Sequence, residues 1–202
     1  MPPHDRLGTR RLAAWIVDWL IVSIYPAALV PIGLLLTSRS FTLPSLAWNL
    51  VTFAGLIAPV TLWLAWWEYT RAATPGKRLL HLRVAPGHQG GEPASLTAGS
   101  IPDQVRQPVD RHERPSARKA LARNALKVAL PWEVAHTGIF ILTDAGAGGA
   151  VRGFGTGCIA AAYLFGLWYV ISLFAGSRRA PYDVATGLSV RGSASREYIL
   201  AR

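Results

Sequence analysis

The sequence is poor in cysteine and in charged residues. Cys158 is the single cysteine, which excludes an internal disulfide and a cysteine-based metal site. Only 16% of the 202 residues are charged and 51% are apolar, whereas about 25% charge is usual in a soluble domain. Acidic residues are scarcest: 11 Asp and Glu face 21 Lys and Arg, a formal net charge of +10. This combination indicates a membrane protein with segregated charges and no nucleic-acid partner.

Motifs for catalysis or cofactor binding are also missing. The Gly76–Lys77 pair lacks the upstream glycine and the following Ser or Thr of a phosphate-binding loop. The sequence contains no arrangement of Ser, His and Asp that suggests a hydrolase, and no cluster of paired acidic residues that does so. We therefore predict that the protein is not an enzyme and needs no cofactor.

Four stretches are long and apolar enough for membrane helices, which need about 20 residues. They are residues 12–36, 46–67, 125–143 and 156–175. The first is too long for the apolar core of a signal peptide, about 7–15 residues, so we expect a retained membrane anchor. The third is the weakest, because it is interrupted by Lys127, Pro131, Glu133 and His136.

The distribution of Lys and Arg supports the third span. With four spans, 19 of the 21 basic residues lie on one side of the membrane, and only Arg39 and Arg152 lie on the other. Basic connections stay in the cytoplasm, whereas a three-span chain would carry its basic end outside. We therefore predict an all-α, four-transmembrane-helix bundle of the plasma membrane with cytoplasmic N- and C-termini.

The connection between the second and third spans differs in composition from the rest. Residues 85–115 are rich in Gly, Pro, Ser, Gln and charge, which predicts a flexible cytoplasmic loop with a short strand or hairpin at "HLRV" and "GGEPASL". The flanks "GKRLLHLRV" and "SARKALARNALKVAL" place apolar and basic residues at helical spacing. We expect interfacial amphipathic helices that turn their basic faces toward anionic lipid headgroups.

Asp18 is the most informative acidic residue. If the first span begins near residue 12, Asp18 lies about 9 Å inside it, where a carboxylate costs on the order of 2.5–3.5 kcal/mol. Arg11 lies about 10 Å away on the same face and is expected to point back to the interface. We therefore expect Asp18 to pair with a group on another helix. Two roles stay open for it, one in packing or folding and one in substrate or proton handling.

The other acidic residues near the spans predict local contacts. Glu68 and Arg71, three residues apart at the end of the second span, are spaced for an ordinary helical ion pair. Glu133 and His136 form one Glu-x-x-His pair, whereas a carboxylate-bridged metal site in a bundle needs two such pairs and two further Glu. We interpret this pair as part of a polar bundle face and expect no metal.

Four segments resemble the RDD family of bacterial membrane proteins, named for one arginine and two aspartates. "RLAAWIVD" contains Arg11 and Asp18 at the family's first two positions, and "TPGKRLLHLRV" is similar to its loop after the second span. "ALARNALKV" has Arg123 at a recurrent arginine, and "PYDVATGLSV" has Asp183 as the second aspartate. The order and spacing of the four segments identify the chain as a member of this family.

Three positions depart from the family pattern. His81 stands where a glycine is usual, Tyr182 replaces a frequent histidine and Leu188 replaces a frequent threonine. The resemblance implies an integral membrane protein suspected of transport, since some members look like cation/proton antiporters.

Two functions are consistent with these observations. The first is a small cation/proton transporter or transporter component, with Asp18 as the titrating group and Arg11 and Asp183 at its cytoplasmic mouth. Four helices are few for a complete pathway, so we expect a homo-oligomer or a partner membrane protein. The alternative is a non-catalytic accessory or assembly subunit of a larger membrane complex, which the minimal polar lining favours. The candidate site residues are Asp18, Arg11, Asp183, Arg123 and Glu68.

Overall fold

Four long helices dominate the structure. The computed structural model describes residues 3–39, 45–87, 114–144, 146, 148–175 and 179–192. The helices that are long and apolar enough to cross a membrane are Leu7–Leu36, Ala47–Arg71, Ala117–Thr143 and Gly149–Ser172. These first to fourth membrane helices confirm the predicted all-α membrane fold and define a multi-pass membrane protein. The third begins earlier than the predicted residue 125 and includes every polar residue that interrupts its hydropathy.

The helical segments are joined by short elements at one end of the bundle. The first membrane helix is part of a continuous helix, Pro3–Ser38, that runs through Pro26 and Pro31. Short helices follow the second and fourth membrane helices, at Pro75–Leu79 and Pro181–Thr186. Each is followed, after a turn of one or two residues, by a strand, β1 (Leu82–Pro86) and β2 (Leu188–Gly192).

The second and third membrane helices each contain a π-helical turn. Their segments are Ser45–Thr52, Phe53–Ile57 (π) and Ala58–Arg71 in the second, and Ala117–Asn124, Ala125–Ala129 (π) and Leu130–Thr143 in the third. Pro59 and Pro131 follow the two π turns. A proline has no N–H and its ring clashes with the carbonyl four residues earlier, so a widened turn is the expected accommodation.

Two tyrosines use carbonyls within these turns. Tyr25 Oη on the first membrane helix donates to the carbonyl of Gly55 at 2.5 Å. Tyr169 Oη on the fourth donates to the carbonyl of Leu126 at 2.7 Å. Each π turn therefore also provides a hydrogen-bond link between two membrane helices.

A two-stranded antiparallel sheet covers the end of the bundle where the first membrane helix begins. Strand β1 pairs with β2, and Val84 lies opposite Val190. The buried residues Leu82, Val84, Leu188 and Val190 pack against Ala14 of the first membrane helix. The strand at "HLRV" therefore exists, but its partner lies about a hundred residues further along the chain. The "GGEPASL" segment and residues 88–113 lie outside the described residues.

The two basic flanks are divided among three elements of the structure. The "GKRLLHLRV" segment gives the short helix Pro75–Leu79 and then β1. The "SARKALARNALKVAL" segment forms the first turns of the third membrane helix, where Arg123 and Lys127 are buried. Arg123 and Lys127 therefore do not face lipid headgroups, and the expectation stays a prediction for the exposed cations of the two flanks. Arg123 instead meets buried carboxylates, which pair with it inside the protein.

The arrangement of chain ends agrees with four crossings. The start of the first membrane helix, the end of the second, the start of the third and the segment after the fourth are joined by ion pairs at one end of the bundle. An alternating up-and-down path through four helices brings these ends together. That this end faces the cytoplasm stays a prediction from the distribution of Lys and Arg.

Candidate functional site

A buried network of ion pairs holds the elements together at this end. Its five charged members are Arg11, Glu68, Lys77, Arg123 and Asp183. Glu68 accepts from Lys77 and Arg123, and Asn124 Nδ2 donates to its second oxygen at 3.0 Å. Asp183 accepts from Arg11 Nη2 at 2.5 Å and from Arg123 Nε at 2.7 Å. Arg123 therefore bridges the two carboxylates and is only 1% exposed.

The network brings together four of the five candidate residues from the sequence. These are Arg11, Glu68, Arg123 and Asp183. Lys77 was missed, although it lies in the "TPGKRLLHLRV" segment that resembles the RDD family. The predicted pair between Glu68 and Arg71 is wrong, because Glu68 is fully buried and turned toward the network. The Arg71 guanidinium instead lies over the Trp67 ring, 3.7 Å from its centroid, in a cation–π contact.

Burial and neighbouring charges fix the protonation of the groups outside the membrane helices. Burial alone would raise the pKa of Asp183, but the guanidinium groups of Arg123 and Arg11 hold it below the ordinary 3.8. Burial and the adjacent Asp183 charge raise the pKa of Tyr182 to about 12. Burial and the Arg123 charge lower the pKa of Lys77 to about 7, against the attraction of Glu68. Asp183 is therefore ionised and Tyr182 neutral at physiological pH.

Asp18 lies beside the network and is held by neutral donors. Its Oδ2 accepts from Thr74 Oγ1 at 2.5 Å and its Oδ1 accepts from the Gly76 backbone N–H at 2.8 Å. The expected partner on another helix is therefore found: Thr74 precedes the short helix Pro75–Leu79 and Gly76 lies in its first turn. The first N–H groups of a helix have no partner within it, so the carboxylate satisfies one of them.

Close packing of Gly76 against the first membrane helix makes this contact sensitive to size. A Cβ at residue 76 would lie 2.3 Å from the carbonyl oxygen of Ala14. We expect Gly76→Ala to push the short helix away from Asp18 and to lower the free energy of unfolding by about 1–3 kcal/mol. Reversible unfolding in mixed detergent micelles measures this change. Gly157→Ala is the matched control, because no atom lies within 4 Å of its added Cβ; equal stability of the two variants would contradict the prediction.

A cavity of about 340 Å³ lies beside the network, between the first, third and fourth membrane helices. Its polar lining consists of Arg11, Asp18, Lys77, Arg123 and Lys127, and most of the remaining lining is aromatic or apolar. Arg11, Lys77 and Arg123 are paired with carboxylates, and Asp18 accepts its two hydrogen bonds. Lys127 Nζ has no ion-pair or hydrogen-bond partner among the residues that the structure describes. In the sequence analysis Lys127 interrupted the third span and was counted with the basic residues of one side of the membrane, and it was not a candidate site residue.

The position of Lys127 depends on the π turn of the third membrane helix. Lys127 is the middle residue of Ala125–Ala129, four residues before Pro131. A π turn inside an α-helix rotates the side chains after the turn about the helix axis, relative to the side chains before it. π turns of this kind occur frequently at functional sites, and here the turn carries the one unpaired cation in the described lining of the cavity.

A second polar contact lies toward the other end of the bundle. Asn49 Nδ2 donates to Glu133 Oε1 at 2.9 Å and to Thr137 Oγ1 at 3.3 Å, and His136 Nδ1 lies 3.1 Å from the carbonyl of Trp132. Asn49 Oδ1 and Glu133 Oε2 are buried without a hydrogen-bond partner in the described part of the chain. Three or more His, Cys, Asp or Glu residues grouped to hold a metal do not occur within the described ranges. Glu133 therefore belongs to a polar contact between the second and third membrane helices.

Four membrane helices joined at one end by buried arginine–carboxylate pairs define a multi-pass integral membrane protein. The model of the RDD family matches residues 7–101 of the chain. The match confirms the resemblance and takes in Arg11, Asp18 and Glu68. Arg123 and Asp183 lie beyond it but bind Glu68 and Arg11 directly. Comparison with curated proteins and with solved structures gives no significant match.

Proposed function

We propose that the protein is a small proton-coupled transporter or the membrane-embedded component of one. The observation that carries this proposal is the cavity lined by Asp18 and Lys127, two titratable side chains within membrane helices. Ionisable groups at such positions commonly mark substrate or proton pathways. The neighbouring ion pairs hold the helices around the cavity in place.

The charge of the cavity favours a proton over a metal cation. Arg11, Lys77 and Arg123 face the two carboxylates of the network, Glu68 and Asp183, and Lys127 faces Asp18, so that four cations meet three carboxylates. A metal cation would meet this excess of positive charge, whereas a proton is carried by the side chains themselves. Glu133 and His136 extend the polar groups of the third membrane helix beyond Lys127 toward the other end of the bundle. Of the two ions considered from the sequence, the geometry therefore supports the proton.

Asp18→Asn separates a proton role from a structural one. The Asn carbonyl can accept from the Gly76 N–H and its amide can donate to Thr74 Oγ1, so the contact is kept while titration is lost. We expect the variant to stay folded and to lose proton flux at least about tenfold. The measurement is proton movement into proteoliposomes under a potassium diffusion potential, followed with a trapped pH-sensitive dye.

The matched control is Asp144→Asn, an exposed acid after the third membrane helix, which should leave the flux unchanged. Wild-type flux equal to that of empty liposomes would contradict the proposal. The accessory or assembly role would then be the better explanation, and a stable membrane partner should copurify in mild detergent. Unchanged proton flux in Asp18→Asn would show that Asp18 does not carry the proton.

A further inference from the structure

The charged groups around the cavity carry one more positive charge than negative, since Arg11, Lys77, Arg123 and Lys127 face Asp18, Glu68 and Asp183. Asp18 attracts Lys127 but forms no ion pair with it. Asp18 lines the cavity with Lys127, but its oxygens accept from Thr74 and Gly76. Glu68 and Asp183 are each bound to two cations of the network. A buried ammonium group without a partner is unfavourable in a membrane. An anion that entered the cavity would therefore find a cation ready to pair with it.

The walls of the cavity are mostly apolar, so they favour contact with an apolar molecule. Their aromatic and aliphatic members include Leu12, Trp15, Trp19, Trp132, Tyr163 and Leu173. The Trp19 ring centroid lies 5.3 Å from that of Trp132 and 5.8 Å from that of Trp15, so the three indoles form a continuous surface. An inorganic anion would gain one charged partner here and lose its water against apolar walls. A ligand with an apolar body would bury that body as well.

The rim of the cavity opens toward the lipid-facing side of the fourth membrane helix. Tyr163 lines the cavity and is 77% exposed, and its neighbours Leu164, Leu167 and Trp168 are exposed as well. A surface of this composition on a membrane helix contacts acyl chains. A molecule dissolved in the bilayer can therefore reach Lys127 without crossing the ion-pair network.

We propose that this cavity binds an anionic amphiphile, whose single carboxylate or phosphate group pairs with Lys127 and whose apolar body lies against Trp19 and Trp132. The inference names the solute class of the transport proposed above and rests on that proposal for any movement of the ligand. Binding itself is measured without an ion gradient. A protein that binds but shows no flux refutes only the transport, and one that moves protons but does not bind refutes only this inference.

The binding test uses the full chain in nanodiscs of neutral phosphatidylcholine. The probe is dansylaminoundecanoic acid, detected by energy transfer from the tryptophans that line the cavity. We expect Lys127→Met to weaken binding at least about tenfold and Lys127→Arg to stay within about threefold of wild type. Lys119→Met, an exposed lysine two turns earlier on the same helix, should bind as wild type does. Loss of a buried unpaired charge should not destabilise Lys127→Met, and a melting curve in the same nanodiscs checks this.

Further ligands separate the chemistry and the source of the amphiphile. The uncharged methyl ester of the probe should bind at least about tenfold more weakly than the acid, and tetradecyl phosphate should displace the acid. Displacement by phosphatidylglycerol in the nanodisc would assign the site to a membrane lipid, and its failure would assign it to a free amphiphile. Equal binding of acid and ester, unchanged binding in Lys127→Met, or displacement by inorganic phosphate as effective as that by tetradecyl phosphate would each overturn the proposal.

Discussion

Replacing Glu68 with Gln is expected to lower the free energy of unfolding by about 3–5 kcal/mol, the usual result of removing one partner of a buried ion pair. Glu68 is fully buried and is bound by Lys77, Arg123 and Asn124. Without its charge, Arg11, Lys77 and Arg123 would share the single carboxylate of Asp183. Reversible unfolding in mixed detergent micelles measures the loss.

The charge balance of the network makes a sharper test possible. Arg123→Met leaves one pair between Lys77 and Glu68 and another between Arg11 and Asp183, so it should cost less than Glu68→Gln. In the double variant, the change at residue 123 should recover part of the stability lost at residue 68. Strictly additive losses would contradict a shared network. Glu68→Gln with wild-type stability would show that the bonds from Lys77 and Arg123 contribute no more than the cost of burying this carboxylate.

Asp183→Asn is expected to have a similarly large effect at pH 7, about 3–5 kcal/mol, and one that depends on pH. The guanidinium groups hold the pKa of Asp183 below 3.8 in the folded protein. A carboxyl group with a lowered pKa stabilises the folded state above its unfolded pKa, and this contribution is lost as the pH falls through the folded value. The wild-type advantage over Asp183→Asn should therefore be complete at pH 7 and shrink below about pH 4.

Measuring the difference between two proteins at each pH removes the contribution of the other acids. Thermal unfolding in detergent from pH 7 to pH 3 gives the required series. Asp144→Asn serves again as the exposed control and should follow wild type throughout. A difference between wild type and Asp183→Asn that is constant with pH would show that the Asp183 carboxylate charge contributes nothing and that only its shape matters.

The membrane helices were predictable because the signal for each lies within its own stretch of sequence. Twenty apolar residues need no information from the rest of the chain to insert as a helix. The starts of the helices were harder to predict. The start of the third helix, at Ala117, was missed because its first turns are amphipathic rather than apolar. Its polar residues were correctly assigned to a membrane helix by the distribution of Lys and Arg elsewhere in the chain.

The contacts of the site were less predictable, since most join residues far apart in the chain. The RDD resemblance selected Arg11, Arg123 and Asp183 but not their pairing, and local spacing suggested the wrong partner for Glu68. Lys77 and Lys127 were counted only among the basic residues of the cytoplasmic side, and their burial follows from how the helices pack. The Pro131 that follows Lys127 by four residues was the one local signal of an altered helix at that point. The cavity depends on the separation of three helices, which no single segment specifies.

One departure from the family pattern now has a structural explanation. His81 adopts φ of 52° in the turn before β1, a left-handed conformation that glycine adopts without steric cost and other residues adopt at some cost. The glycine usual at this position therefore serves the turn. Histidine is tolerated because the turn is fixed on one side by the short helix and on the other by the pairing of β1 with β2.

The distance along the sequence between the bonded partners also determines the order in which they can pair during synthesis. Glu68 and Lys77 are made within ten residues of each other and can pair as soon as the second membrane helix has entered the bilayer. Arg11 and strand β1 must wait for Asp183 and β2, which are made after the fourth membrane helix. Domains and their parts form as the chain emerges from its N-terminal end, so an inserted four-helix chain exists before its network is complete. The packing of segment 179–192 against Arg11 and β1 therefore comes last, and it distinguishes the fully folded protein from a chain that is inserted but not yet fully folded.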